Sequence, residues 1–158
     1  MRETTRKFEK VGVLNLEGGK IDITDPCYDS DVWCRINNVG VKPGKYNCYV
    51  KKDDSYRYPM IKEIRIVCQG SSKFANNWKI LGSIGVDAGL AGFFVSPKKD
   101  YSDEEWKEFC DSLQDDDYFV REYGFFSDSG FGDGEYDVEV AKDNYDNIVA
   151  VRIVFYYK

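Results

Sequence analysis

Three glycines at alternate positions, Gly130, Gly132 and Gly134, restrict how this chain can fold more than any other feature. Glycine adopts backbone conformations with positive φ that other residues rarely reach, so such a run predicts a tight turn. A polar stretch beginning at Ser127 leads into the glycines, and an extended segment from Glu135 follows them. The run is therefore typical of a loop between two β-strands.

Much of the remaining chain reads as short extended runs between Gly, Pro, Asp and Asn residues. Apolar and polar residues alternate in several of these runs, as in strands with one buried face. The predicted strands are 11–16, 20–24, 45–52, 60–69, 78–86, 89–95, 118–126, 135–142 and 148–157. Short turns predict that 11–16 and 20–24 form one hairpin and that 78–86 and 89–95 form another. The alternation in 45–52 and 60–69, which a polar connection joins, predicts an antiparallel pair, and a turn at 143–147 joins the last two strands.

One segment has helical spacing. Ser102 is placed as an N-cap, and Glu105 completes a capping box three residues later. Trp106, Phe109, Cys110 and Leu113 then fall on one helix face. We expect one principal helix at about 102–114, packed on the sheet, and a short helical turn at 29–33. The predicted fold class is α+β, mainly β, with one or more mixed or antiparallel sheets.

Length and charge limit the organisation of the chain and its partners. With 158 residues and 42% apolar residues, residues 1–158 are expected to form a single domain around one core. The net charge is −6, which disfavours attraction to phosphate backbones. Nucleic acid is therefore an unlikely partner.

The chain has no histidine, which removes the most frequent general base and transition-metal ligand. Five cysteines are widely spaced and odd in number, as expected of reduced thiols. The N-terminal residues are charged, and no apolar stretch is long enough to span a bilayer. These features favour a cytoplasmic protein with no membrane partner.

The glycine-rich loop is the first candidate site. Its exposed amides could cradle an anionic ligand, and its predicted ligand-binding residues are Gly130, Gly132, Asp133, Gly134 and Tyr136. The spacing matches neither the dinucleotide fingerprint nor the Walker loop. The alternative is a purely structural loop in which Asp side chains cap neighbouring amides.

Carboxylates supply two further alternatives. Asp25, Asp87 and Asp133 follow strands or lie in turns, and on a shared rim they would suit carboxylate- or divalent-metal-dependent hydrolysis. Calcium is the one cofactor considered, and its ligands would be Asp128, Asp133, Glu135 and Asp137, although the EF-hand pattern is not met. The structural alternative is that these acids cap turns, with no catalytic residue, metal or cofactor.

Tyrosine is frequent, with 12 residues, and such rings are favoured at recognition surfaces. A binding face of tyrosines is one interpretation, and ordinary half-buried strand positions are the other. The candidates are Tyr46, Tyr49, Tyr56, Tyr58, Tyr156 and Tyr157.

Three segments together resemble a family of uncharacterised proteins from bacteria and their phages. They contain Asp25-Pro-Cys-Tyr28, Val86-Asp-Ala-Gly89 and Ser129-Gly-Phe-Gly-Asp-Gly-Glu-Tyr-Asp-Val138. The chain departs from the family pattern at Asp137, where the family usually carries proline. The resemblance implies a compact β-rich fold and a bacterial or phage origin, and it implies no catalytic residues.

These observations favour a non-enzymatic binding or interaction protein that acts on a protein partner or small ligand. A phage accessory or counter-defence factor is one such role. The alternative function is the hydrolase that uses Asp25, Asp87 and Asp133.

Overall fold

A computed structural model describes residues 8–27, 34–55, 60–99, 102–112 and 117–157. Its strands are β1 Phe8–Leu16, β2 Lys20–Thr24, β3 Ile36–Gly40, β4 Gly44–Asp53, β5 Met60–Cys68, β6 Lys79–Val86, β7 Leu90–Val95, β8 Tyr118–Arg121, β9 Gly124–Asp128, β10 Gly134–Lys142 and β11 Ile148–Val154. A 3-10 turn covers Ser72–Phe74, and helix α1 covers Asp103–Ser112.

The strands form two antiparallel sheets. The six-stranded sheet has the order β1-β4-β5-β11-β10-β6, and the five-stranded sheet has the order β3-β2-β7-β9-β8. The prediction of a mainly β fold is confirmed. The predicted pairs β4 with β5 and β10 with β11 are also confirmed.

Side chains from both sheets share one core. Ile64 and Val151 of the six-stranded sheet belong to the same buried cluster as Ile23, Phe93 and Phe125 of the five-stranded sheet. Each buried aliphatic or aromatic side chain of this kind contributes roughly 1.5–3 kcal/mol. Each sheet is therefore covered on its inner face by the other sheet.

Two predicted hairpins are wrong. Gly19 N–H donates to the Leu16 carbonyl at 2.9 Å, as in a tight turn, but β1 then pairs with β4 and β2 with β3 and β7. Likewise β6 pairs with β10, whereas β7 pairs with β2 and β9. Both turns carry the chain from one sheet to the other. Alternation shows which side chains are buried, and it does not show which strand is the partner.

Other boundaries also differ. The predicted strand 118–126 is a hairpin, β8 with β9, because the chain turns before Gly124. Strand β3 was not predicted, since its sequence Ile-Asn-Asn-Val-Gly has little alternation. The predicted helical turn at 29–33 lies outside the described residues.

Helix α1 begins at the predicted capping box, with Ser102 directly before its first residue. Ser102 N–H donates to Glu105 Oε1 at 2.9 Å, and Glu105 N–H donates to Ser102 Oγ at 3.2 Å. The side chains that the structure describes on α1 are exposed: Asp103, Glu104, Glu105, Lys107, Glu108 and Asp111. The core that the structure describes lies between the two sheets, rather than between a sheet and the principal helix as predicted. The side chains of the apolar helix face lie outside the description.

Within the described ranges, no helix is long and apolar enough to cross a membrane.

Gly92 of β7 tests how closely the five-stranded sheet is packed. A Cβ atom at this position would overlap the Phe125 carbonyl oxygen and Phe126 Cβ. We therefore expect Gly92→Ala to lower the free energy of unfolding by about 3 kcal/mol in urea denaturation. Gly18→Ala is the control, because no atom lies within 4 Å of the added methyl group. Equal stability of the two variants would contradict the packing.

Candidate functional site

Several connections meet at one end of the two sheets, which we call the loop rim: residues 25–27, 87–89, 129–133 and 155–157. Ser129 N–H donates to the Gly89 carbonyl at 3.0 Å, and the backbone of Gly134 pairs with Val86. Gly130 lies against Phe155. The three Asp-bearing turns that the sequence singles out therefore come together in space.

Asp25 connects two of these turns. The residue is fully buried, and its Oδ1 accepts a hydrogen bond from Cys27 N–H at 2.8 Å. Its Oδ2 accepts from the N–H groups of Asp87 at 2.9 Å and Ala88 at 2.8 Å. Three backbone donors surround a carboxylate that solvent does not reach. This arrangement stabilises the turns, and it leaves Asp25 poorly placed to take a proton from a substrate.

The other two candidate catalytic residues, Asp87 and Asp133, have exposed side chains. Asp87 meets Asp25 through its backbone N–H. No group of three Asp, Glu or Cys side chains in the described ranges is placed to hold a metal ion. The alternative calcium ligands Asp128, Asp133, Glu135 and Asp137 are thus not gathered together. Glu135 instead accepts a hydrogen bond from Ser83 Oγ at 3.1 Å.

The glycine-rich loop is held by its own polar groups. Gly130 and Gly132 have φ values of 67° and 104°, which glycine alone adopts easily. Ser129 Oγ donates to the Gly132 carbonyl at 2.7 Å, and Gly132 N–H donates to the Ser129 carbonyl at 3.2 Å. The Tyr136 hydroxyl lies 2.6 Å from the Gly132 carbonyl and 3.1 Å from that of Ser129. Of the predicted ligand-binding residues, Gly132 and Tyr136 thus have partners inside the loop.

Phe131, at the tip of this loop, was missed by the sequence reasoning. Its side chain is 62% exposed, and its ring centroid lies 4.7 Å from that of Tyr156. Tyr156 is fixed in turn, because its hydroxyl donates to Oδ2 of the buried Asp53 at 2.9 Å. The sequence did contain an indication of this residue. A large apolar side chain between two turn glycines lies at a position where packing in the core does not account for it.

The predicted tyrosine face is only partly assembled. Tyr46 is fully buried, Tyr49 and Tyr156 are half-buried, and Tyr157 is exposed. Tyr46 Oη donates to the Lys42 carbonyl at 2.7 Å, so Tyr46 is part of the core and does not contribute to a binding face. Tyr56 and Tyr58 lie outside the described residues.

A charged network on the outer face of the six-stranded sheet was also missed. Arg65 Nε donates to Glu63 Oε2 at 2.7 Å, and Arg152 Nη2 donates to Glu139 Oε1 at 2.6 Å. The Trp78 ring covers both guanidinium groups, with its centroid 4.9 Å from Arg65 Cζ and 4.4 Å from Arg152 Cζ. Burial, and secondarily the charge of Arg152, lower the Arg65 pKa, whereas Glu63 opposes that change. In the sequence, this network was indicated by the alternation of charged with apolar residues in β5, β10 and β11.

The described cysteines Cys27, Cys34, Cys48 and Cys68 are free thiols. Burial raises the pKa of the Cys48 thiol to about 12. This thiol is therefore protonated at neutral pH and packs as a small apolar side chain.

Comparison with known proteins finds no matching family model, no similar curated protein and no similar solved structure. The geometry of the sites is therefore the basis on which a function is assigned. The resemblance of the three segments to a bacterial and phage family stays a prediction.

Asp25 provides a test of the loop rim. Asp25→Asn retains one acceptor oxygen and turns an NH2 group toward backbone donors. We expect the free energy of unfolding to fall by about 2–4 kcal/mol, measured by urea denaturation. Asp133→Asn is the matched control, because its exposed side chain should change stability by no more than about 0.5 kcal/mol. Equal losses in both variants would refute the structural role of Asp25.

Asp128 provides a pH-dependent test. Although Asp128 as a whole is exposed, neighbouring atoms displace part of the water around its carboxyl group. This desolvation, together with the neighbouring Asp117 carboxylate, raises its pKa to about 6 from an ordinary 3.8. The folded state therefore binds more protons than the unfolded state between these values, and stability falls as the pH rises from about 4 to 6. Asp128→Asn should remove this slope and stabilise the protein at pH 7 by up to about 1 kcal/mol, since solvent screens an exposed carboxylate. Thermal unfolding of both proteins across this pH range checks the expectation, and an unchanged slope would contradict it.

Proposed function

We propose that this chain is a non-enzymatic interaction protein that binds a protein partner through its loop rim. The observation that carries the proposal is Phe131, a large apolar side chain held in solvent by a fixed loop. Aromatic side chains on rigid supports are frequent anchors of protein interfaces, because they bury a large area with little loss of conformational entropy.

The support of Phe131 is rigid in two ways. The hydroxyl groups of Ser129 and Tyr136 hold the Gly132 carbonyl, and Gly130 packs so closely that a Cβ there would lie 3.0 Å from Phe155 Cβ. The Tyr156 ring packs against Phe131 from the side of the sheet. Phe131 is thus presented in one orientation, which lowers the entropic cost of binding.

The chemistry of the rim favours binding over hydrolysis. A rim-aspartate hydrolase needs a carboxylate that can accept a proton or hold a metal. The Asp25 carboxylate is occupied by three backbone donors, while Asp87 and Asp133 are exposed. In the function that we propose, these residues help to form the rim and do not take part in catalysis.

The biological setting belongs to the same proposal. The resemblance of the three segments supports a bacterial or phage origin, and a phage accessory or counter-defence factor would act by binding a host protein. The free thiols of the described cysteines support action in the cytoplasm.

Site-specific crosslinking tests the rim. A photoreactive phenylalanine replaces either Phe131 or Tyr145, and crosslinked proteins are identified in cells of the native source. Tyr145 is the matched control, since it is 85% exposed in the β10–β11 turn, at the opposite end of β10 from Gly134. We expect a specific adduct at position 131 and none at 145.

Purified variants show whether Phe131 or the exposed aspartate of the rim contributes to binding. Phe131→Ala should weaken binding of the crosslinked partner by at least about 10-fold, as for an interface anchor, whereas Asp133→Asn should retain it. Equal adducts at positions 131 and 145, or loss of binding in Asp133→Asn but not in Phe131→Ala, would contradict the proposal.

A further inference from the structure

A hollow of about 200 Å³ lies on the outer face of the six-stranded sheet, apart from the loop rim. We call it the outer-face hollow, and its lining residues are Phe8, Tyr49, Arg65, Val67, Ser72 and Ala75. Pockets for drug-sized ligands enclose about 300–1,000 Å³, so this hollow is too small for a whole ligand of that kind. A cavity of about 150 Å³ can hold a benzene ring, so the volume suits one planar ring.

The walls of the hollow suit the faces of such a ring. Phe8 and Tyr49 are half-buried aromatics, and Val67 and Ala75 provide an aliphatic surface. Arg65 is held over the Phe8 ring, with its Cζ 3.9 Å from the centroid, and over the Trp78 ring. The guanidinium is therefore fixed in place at the edge of the hollow.

Arg65 still has hydrogen-bonding capacity. Its contacts with Glu63 use Nε, at 2.7 Å, and Nη2, at 2.6 Å. In the described part of the chain, Nη1 has no hydrogen-bond partner. An acceptor on a ligand in the hollow would find these donors available.

The surrounding charge is positive. Residues directly paired across strands share a face, and the register pairs Lys10 with Tyr49 and Lys51 with Phe8. The Lys51 ammonium lies 5.2 Å from the Phe8 centroid. By the same register, the acidic residues that the structure describes on the outer face of β1, β4 and β5 are Glu63 and Asp53. Arg65 already neutralises Glu63, and Asp53 lies at the far end of β4, where it accepts a hydrogen bond from the Tyr156 hydroxyl. The unbalanced lysines favour a negatively charged ligand.

We propose that the outer-face hollow binds a planar aromatic ring that carries an anionic group. The ring lies between Phe8, Tyr49 and Ala75, and the anion faces Arg65, Lys10 and Lys51. An aromatic carboxylate and a nucleoside monophosphate share this chemistry, and both are suitable probes. This site is independent of the loop rim and of the partner proposed for Phe131.

Titrations followed by backbone amide NMR test the site with four probes. Benzoate and adenosine monophosphate carry both ring and anion, adenosine carries the ring alone, and inorganic phosphate carries the anion alone. We expect one or both ring anions to shift the amide signals of Tyr49, Val67 and Ala75 and to bind at least about 3-fold more tightly than adenosine, as for one exposed ion pair. Binding of benzoate alone would identify carboxylates as the ligand class, and binding of the monophosphate alone would identify phosphates.

Two variants locate the binding. Ala75→Phe fills the hollow and should abolish the shifts, whereas Asn77→Phe, in the same connection but lining a different hollow, should not. Lys51→Gln should weaken the ring anion by about 3-fold and leave adenosine unchanged, and this conservative variant keeps the test available if Ala75→Phe fails to fold.

Three results would overturn the proposal. The first is the absence of shifts around the hollow with both ring anions at about 1 mM, the weak end of specific binding. The second is equal affinity for adenosine and its monophosphate together with no binding of benzoate, and the third is unchanged binding in Ala75→Phe.

Discussion

The buried carboxylate of Asp25 joins parts of the chain that belong to different sheets. Asp25 follows β2 of the five-stranded sheet, whereas Asp87 and Ala88 follow β6 of the six-stranded sheet. The bonds between them fix the point where the chain passes from β6 to β7. Since Ser129 N–H bonds to Gly89 in the same turn, the glycine-rich loop depends on this tie as well. A buried charge is tolerable here because three donors replace the water that it loses.

The outer face of the six-stranded sheet follows a different physical rule. Arg65 and Arg152 are direct cross-strand partners, an arrangement that is unfavourable for like charges. Glu63 and Glu139 lie beside them and compensate the repulsion. The Arg152 Nη1 atom also lies 3.9 Å from Glu63 Oε1, so the two pairs form one network. The network fixes the positions of its side chains but stabilises the fold only modestly. The cost of removing the charges from water offsets much of their attraction.

Sequence reasoning succeeded where the determining information is local. The alternation in β4 and β5 predicted their buried faces, the alternate glycines predicted the loop, and the capping box predicted the start of α1. Strand partners were predicted less well. The apolar sequence of β6 is equally compatible with pairing to β7, as predicted, and with pairing to β10, as observed. The network of Glu63, Arg65, Glu139 and Arg152 escaped for the same reason. Its members meet because the register places β5 beside the β10–β11 hairpin, which is distant from β5 in sequence.

The two proposed sites differ in the range of the forces that they use, and this explains how an acidic chain can have a basic face. At physiological salt the screening length is about 8 Å, so a small ligand responds to the charges within roughly that distance. For the outer-face hollow, those charges include Arg65 and Lys51, and the net charge of −6 has little influence there. The same net charge still disfavours a long polyanion, which would extend beyond this face. At the proposed rim site, Phe131 would instead act through contact and burial, which salt barely screens, so a partner surface of either sign would suit it.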